Sequence, residues 1–268
     1  MKFGNASDYL NRGILLFIMI EIKNVSKHFG GIKAVENVTL NINKGSITGL
    51  IGPNGAGKTT LFNIIAGFYS ADFGEITFEG ENISSLRSDE LFKKGILRTF
   101  QIAHEFENLS VRENLMMVPD NQTGETIFNS WISRNRIRIE ERENSKKASE
   151  VMEFLNLDHL ANERAGSLSG GQKKLLELGR TMMVDAKIVL LDEVGAGVNK
   201  TLLKKIGESI KTLNKEMGYT FFMIEHDIDF ISSLCDPVIV MTEGKVLTEG
   251  KVSSIRNDER VIEAYLGN

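Results

Sequence analysis

Residues Gly52 to Thr59 read GPNGAGKT: a glycine, four residues, then glycine, lysine and a hydroxyl. That order suits a polyphosphate. The glycines let successive backbone N–H groups turn inward, and a helix that starts at the lysine adds partial positive charge. Lys58 has the length to reach the β- and γ-phosphates, and the Thr59 hydroxyl is a ligand for Mg2+. The cradle would comprise Gly52, Pro53, Asn54, Gly55, Ala56, Gly57, Lys58, Thr59 and Thr60. A glycine-rich turn without a ligand is the bland alternative. The flanks oppose it: a mostly apolar strand, SITGLI, leads in at Ser46 to Ile51, and a helix is expected from about Lys58.

A second stretch could complete the chemistry. IVLLDE ends a short apolar strand in two acids. Asp192 could hold Mg2+ through water, and Glu193 could polarise an attacking water. Phosphoryl transfer needs that division into positioning, charge neutralisation and an oriented nucleophile. An apolar run ending in acids is also a common strand end, so the pair gains its meaning from the loop before it. Together the two motifs admit kinases, GTPases, helicases and other NTPases. A guanine-reading Asn-Lys-x-Asp is not present where LNKE stands, at Leu213 to Glu216.

A third stretch raises a question. SLSGGQKKLLELGR, from Ser167 to Arg180, begins like another anion-binding helix start. Ser169 can cap the helix, Gly170 and Gly171 allow close backbone approach, and Gln172 follows. One chain of 268 residues would thus carry two phosphate cradles.

The elements that position these groups follow from the apolar pattern. Ile20–Lys27 and Ile32–Ile42 alternate as strands around a Gly30-Gly31 turn, and Gly74–Ile83 is another strand with a turn at Glu79 to Glu81. From Val111 to about Leu160 helix formers dominate. Ile127, Phe128, Trp131 and Ile132 have helical spacing, as do Val151, Met152 and Leu155. The mixed charges of Arg134 to Lys147 predict a solvated helix face laced with ion pairs, with partner binding as the minority reading. Buried strands at Lys187–Glu193 and Thr220–Asp227 alternate with helices, and a hairpin turns at Glu243-Gly244. That predicts an α/β fold with a mostly parallel central sheet, an antiparallel β subdomain and a helical subdomain at about 102–180.

Composition narrows the class. The chain is 41% hydrophobic and 25% charged, with a net charge of −4, which argues against a general nucleic-acid binder. The single cysteine, Cys235, excludes an internal disulfide and reads as a small buried hydrophobe. GILLFIMI, Gly13 to Ile20, is far shorter than a spanning helix needs and lacks a cleavage site after it. Met19 is read as the native start, which would leave residues 1–18 as an extension without structural duty. The intact mass of the native protein tests this.

GPNGAGKTT, a lone Gln101 after a strand, LSGGQ, LLDE and His226 in IEHD together resemble the ATP-binding cassette (ABC) proteins from about residue 20 to the end. The resemblance resolves the two cradles. In that family two cassettes pair head to tail, and each ATP lies between one P-loop and the other chain's LSGGQ. Ser169, Gly170, Gly171 and Gln172 would then serve the partner's ATP. The resemblance further implies that Phe29 stacks on adenine and that Gln101 senses Mg2+ and water beside the membrane partner. It implies that His226 contacts the γ-phosphate, with Lys58 and Glu193 in the catalytic set. Three positions depart from the usual pattern: Val194 for Pro, Asn199 for Asp and Lys174 for Arg. None removes a catalytic group.

FGGIKAVENVTL, GILRTFQ, LSVRENL, GAGVN and EAYLG look more specifically like the ATP-binding subunit of branched-chain amino-acid importers. That likeness implies a peripheral protein on the cytoplasmic face of the membrane, with a homologous ATP-binding subunit and two permease subunits. It also implies an extracytoplasmic solute-binding protein, and no nucleic acid. Alternatives are the ATPase of urea or other amino-acid uptake, or that of lipopolysaccharide export. A soluble switch ATPase and a cassette that binds ATP without hydrolysing it are the rivals from other classes.

Overall fold

The computed structural model describes residues 18–99, 106–119, 122–123 and 134–266. Gln101, His104, Ile127, Phe128, Trp131, Ile132 and the extension before Ile18 lie outside the described residues.

The chain opens with β1 (Ile18–Phe29) and β2 (Ile32–Asn43), then β3 (Ile47–Ile51), α1 (Lys58–Ile65), β4 (Phe73–Phe78) and β5 (Glu81–Asn82). There follow α2 (Ser88–Lys93), β6 (Ile96–Arg98), α3 (Val111–Met116), α4 (Arg134–Phe154) and α5 (Gly170–Met182). Next come β7 (Ile188–Asp192), α6 (Lys200–Met217), β8 (Thr220–Ile224) and α7 (Ile228–Leu234). β9 (Val238–Thr242), β10 (Lys245–Gly250), α8 (Val252–Ile255) and α9 (Glu259–Leu266) complete the described chain. Ile18 already pairs with Asn43, so the first strand begins one residue before Met19. This corrects the expectation that residue 18 has no structural duty.

The chain divides into two compact units. Of the described residues, the first comprises 18–98, 187–193 and 211–266. It holds an antiparallel four-stranded sheet, ordered β2-β1-β4-β5, and a six-stranded sheet, ordered β10-β9-β3-β8-β7-β6. In the six-stranded sheet every pairing is parallel except that of β9 with β10. β3, β7 and β8 are buried at every position, as an apolar run in a sheet interior requires. Phe62 of α1 meets Phe222 of β8 with ring centroids 4.8 Å apart. Leu61, Phe62 and Ile65 are fully buried in this core, each contributing about 1.5–3 kcal/mol.

The second unit comprises the described residues among 99–186 together with 194–210. Its described elements are helical. α4 runs for 21 residues, and only Ala148, Val151 and Met152 of it are buried. Its exposed face carries the Arg136–Glu140 pair near the start and the Lys146–Glu150 pair further along. α3 starts at a capping box, with Ser110 accepting from the Glu113 N–H and the Glu113 carboxylate accepting from the Ser110 N–H.

Candidate nucleotide site

The phosphate loop leaves the end of β3 and enters α1. Gly57 has φ +93°, and a Cβ there would stand 2.2 Å from the Ala34 carbonyl oxygen of β2. Only glycine fits that backbone and that approach. Gly244 N–H donates to the Ala56 carbonyl at 3.2 Å, so the β9–β10 turn supports the loop from behind. Lys58 is buried, and its Nζ donates to the carbonyls of Gly52 at 2.7 Å and Pro53 at 2.9 Å. Burial holds its ammonium below the ordinary lysine range, while the charges of Glu193 and Asp192 oppose that shift. The loop lysine and both acids therefore share one local field. Thr59 is exposed at the first turn of α1, and Thr60 is half-buried behind it.

Asp192 is the last residue of β7 and is almost wholly buried. Arg98, from the end of β6, donates to its Oδ2 at 2.8 Å. Glu193 follows in the left-handed region at φ +51°. Its N–H donates to the Ile224 carbonyl at the end of β8, at 3.0 Å. The next turn brings His226 Nε2 to 2.9 Å from Glu193 Oε1. Asp227 then accepts from the N–H groups of Asp229 and Phe230, both at 2.9 Å, and so starts α7. Glu193 and His226, 33 residues apart in sequence, thus meet because β7 and β8 are parallel neighbours.

Phe29 is exposed at the end of β1. Its ring meets Tyr69 edge-on with centroids 5.3 Å apart, and Lys27 Nζ lies 5.6 Å from its centroid. Behind the phosphate loop, Pro53 to Ala56 share a crevice of about 280 Å³ with Thr242, Glu243, Glu263 and Ala264. Burial pushes the Tyr265 phenol above its ordinary range, against the opposing effect of the Gly52 backbone. The C-terminal helix thus borders the loop, which the sequence pattern alone did not reveal.

The second cradle lies in the other unit. Ser169 Oγ accepts from the Gln172 N–H, and Gln172 Oε1 accepts from the Ser169 N–H at 2.9 Å, a closed capping box. The helix accordingly begins at Gly170, two residues before Gln172. The two glycines differ. A Cβ on Gly170 would meet nothing nearer than the Gly197 oxygen at 3.9 Å, whereas one on Gly171 would come within 2.0 Å of Leu202 Cδ2. Gly171 is bare for packing, so only Gly170 fits the expectation of an open approach.

The departures from the usual pattern are accommodated. Val194 is buried, Asn199 Oδ1 accepts from the Leu202 N–H at 3.0 Å and starts α6, and Lys174 is buried 3.5 Å from Glu177. In the same unit a groove of about 580 Å³ is lined by Leu109, Met116, Met117 and Ile137, with Glu113, Gln122, Glu140 and Glu141. Cys235 is buried and its thiol is pushed up to about 12 by desolvation, which matches its reading as a small hydrophobe.

Among the described residues no cluster of three or more His, Cys, Asp or Glu side chains could cage a metal. The donors at the site, the Thr59 hydroxyl and the Asp192 carboxylate, are few and hard. That set fits Mg2+, which keeps waters and takes substrate phosphates rather than a full protein cage.

Comparison with known proteins gives the family. The ABC transporter family model matches residues 35–196, and the model for the branched-chain amino acid ATP-binding cassette transporter matches residues 245–268. The probable branched-chain amino acid transport ATP-binding protein LivG of Archaeoglobus fulgidus is 45% identical over 249 residues, covering 93% of this chain and 95% of that one. A nucleotide-free ATP-binding cassette from an ABC transporter superposes with a TM-score of 0.82 at 38% identity, covering 94% of this chain and 100% of that one. The dimeric post-hydrolysis state of the cassette MJ0796, bound to ADP and Pi, gives a TM-score of 0.72 at 27% identity, covering 87% and 99%. The chain belongs to the ABC transporter family, among the ATP-binding proteins of the branched-chain amino-acid transport group.

Proposed function

We propose that this chain is the ATP-hydrolysing subunit of an ABC importer that takes up branched-chain amino acids. The observation that carries the reading is the convergence of Lys58, Asp192, Glu193 and His226 at the carboxyl ends of β3, β7 and β8. ATP phosphates would lie in the loop from Gly52 to Thr60, with Lys58 exchanging its bonds to the loop carbonyls for phosphate oxygens. Phe29 would stack on the adenine. Thr59, Gln101 and Asp192 would hold Mg2+, which when bound neutralises developing phosphate charge. Glu193 would take the proton of the attacking water, and His226 would hold the γ-phosphate beside it.

Ser169, Gly170, Gly171 and Gln172 would complete the ATP site of a second, homologous subunit. The dimeric relative bound to ADP and Pi supports that pairing. ATP then acts as the glue between two subunits, and hydrolysis loosens it.

Among the described residues no helix is long and apolar enough to cross a membrane. On this reading the chain works peripherally at the cytoplasmic face, on two permease subunits supplied by an extracytoplasmic solute-binding protein. The apolar groove beside α3 and α4, rimmed by glutamates, is the surface offered to the permease. Affinity purification from solubilised native membranes tests this assembly. Two integral permeases and a second cassette subunit are expected. Recovery only from the soluble fraction would favour a switch ATPase instead.

A further inference from the structure

Arg98 plays no part in the proposed hydrolysis, yet it is a nearly buried cation of the first unit. It ends β6, whose register sets it opposite Leu190 on β7, so its side chain emerges beside the end of that strand. Its guanidinium is nearly fully buried. One nitrogen donates to Asp192 Oδ2 at 2.8 Å, and the other donates to Asn63 Oδ1 on α1. The Phe68 ring lies 5.7 Å from its centre. Asn63 is itself a fixed point, because its carbonyl accepts from the N–H groups of Phe68 at 2.8 Å and Tyr69 at 3.2 Å. The edge-on contact of Tyr69 with Phe29 continues the same chain of contacts.

We propose that Arg98 is a positioning residue of the ATPase site: anchored by Asn63, it fixes the Asp192 carboxylate for the metal that accompanies ATP. The inference rests on Asp192 serving Mg2+. A buried carboxylate needs a charge partner and a rigid donor, and a planar guanidinium supplies both with one fork. By gripping Oδ2 it restrains the carboxylate from turning. Its second arm ties that carboxylate to the helix that begins at the phosphate loop, five residues before Asn63. Lysine keeps the charge but cannot span both partners in one plane. The arrangement also binds the two strand ends at which the chain leaves the first unit, after Arg98 and after Glu193.

The test uses the full chain, a non-hydrolysable ATP analogue, and Mn2+ in place of Mg2+, with bound Mn2+ read by electron paramagnetic resonance. Arg98→Lys is expected to weaken Mn2+ binding about ten- to hundred-fold, as loss of an outer-shell partner does. That loss should exceed any change in nucleotide affinity measured in EDTA. Asn63→Ala should shift Mn2+ affinity in the same direction by less. Folded Arg98→Lys with unaltered Mn2+ affinity overturns the inference. Should Arg98→Lys fail to fold, unaltered Mn2+ affinity in Asn63→Ala overturns it equally. Asp192→Asn separates the two levels: if it binds Mn2+ normally, the metal reading of Asp192 fails, and the positioning role with it.

Discussion

Glu193 combines reactivity with a backbone conformation that non-glycine residues seldom adopt. Its φ of +51° costs on the order of 1–3 kcal/mol, and such strain persists only where the surroundings enforce it. Here the bond to the Ile224 carbonyl and the contact with His226 do so. Asp192 meets Arg98 while Glu193 meets His226, so two adjacent acids take different work. Replacing Glu193 by Gln keeps the shape and removes the base. Phosphate release should fall roughly 10²- to 10⁴-fold, with ATP still bound in an equilibrium nucleotide-binding assay. Turnover at the native rate would remove Glu193 from its role. The residues of the phosphate loop and the Asp-Glu pair were legible in the sequence because each lies in a short local pattern. Arg98 was not: GILRTFQ was read for its glutamine and as part of a resemblance, and the partner of Arg98, Asp192, lies 94 residues away.

Among the elements, α5 shows how a motif can hide two different reasons. Both glycines of LSGGQ suggest an anion approaching the backbone, yet only one has open space around it. Gly170→Ala should leave the melting temperature of the isolated chain unchanged while slowing ATP turnover, if a partner's nucleotide comes to this helix start. Gly171→Ala forces Leu202 to move, and overpacking of that kind costs about 1–3 kcal/mol. A thermal melt of the two variants separates packing from approach. Equal melting temperatures would mean that Leu202 swings aside. The strands were readable for the opposite reason: ITGLI, IVLLD and TFFMI are short apolar runs with no competing period. β6, with three residues, is too short for any period to show.

Across the whole molecule, distant charges fasten the ends of the first unit. Glu79, at the turn between β4 and β5, accepts from Lys187 at 2.6 Å and from Lys44 at 3.4 Å. The Lys187 bond first, and then the neighbouring charges, hold its carboxyl below the ordinary 4.5 despite partial burial. The stabilisation is fully present above that value and is lost as the pH falls through the lowered one. Because the pair is partly exposed, about 0.2–1 kcal/mol is at stake. Glu79→Gln should remove that share of the acid loss of stability in denaturant titrations, with a smaller effect in high salt. A pH dependence identical to that of the unaltered chain would show the contact to be idle.

The order of the six-stranded sheet has a further consequence, for synthesis. β3, which leads into the phosphate loop, lies between β8 and β9. Its first neighbour begins at Thr220, roughly 170 residues after β3 ends, or about 10–30 s of translation. For that interval the strand before the loop, apolar along nearly its whole length, has no sheet neighbour yet made. The nucleotide cradle is among the first segments translated and among the last to be supported. A nascent chain interrupted before Thr220 would present ITGLI to whatever binds unpaired apolar strands.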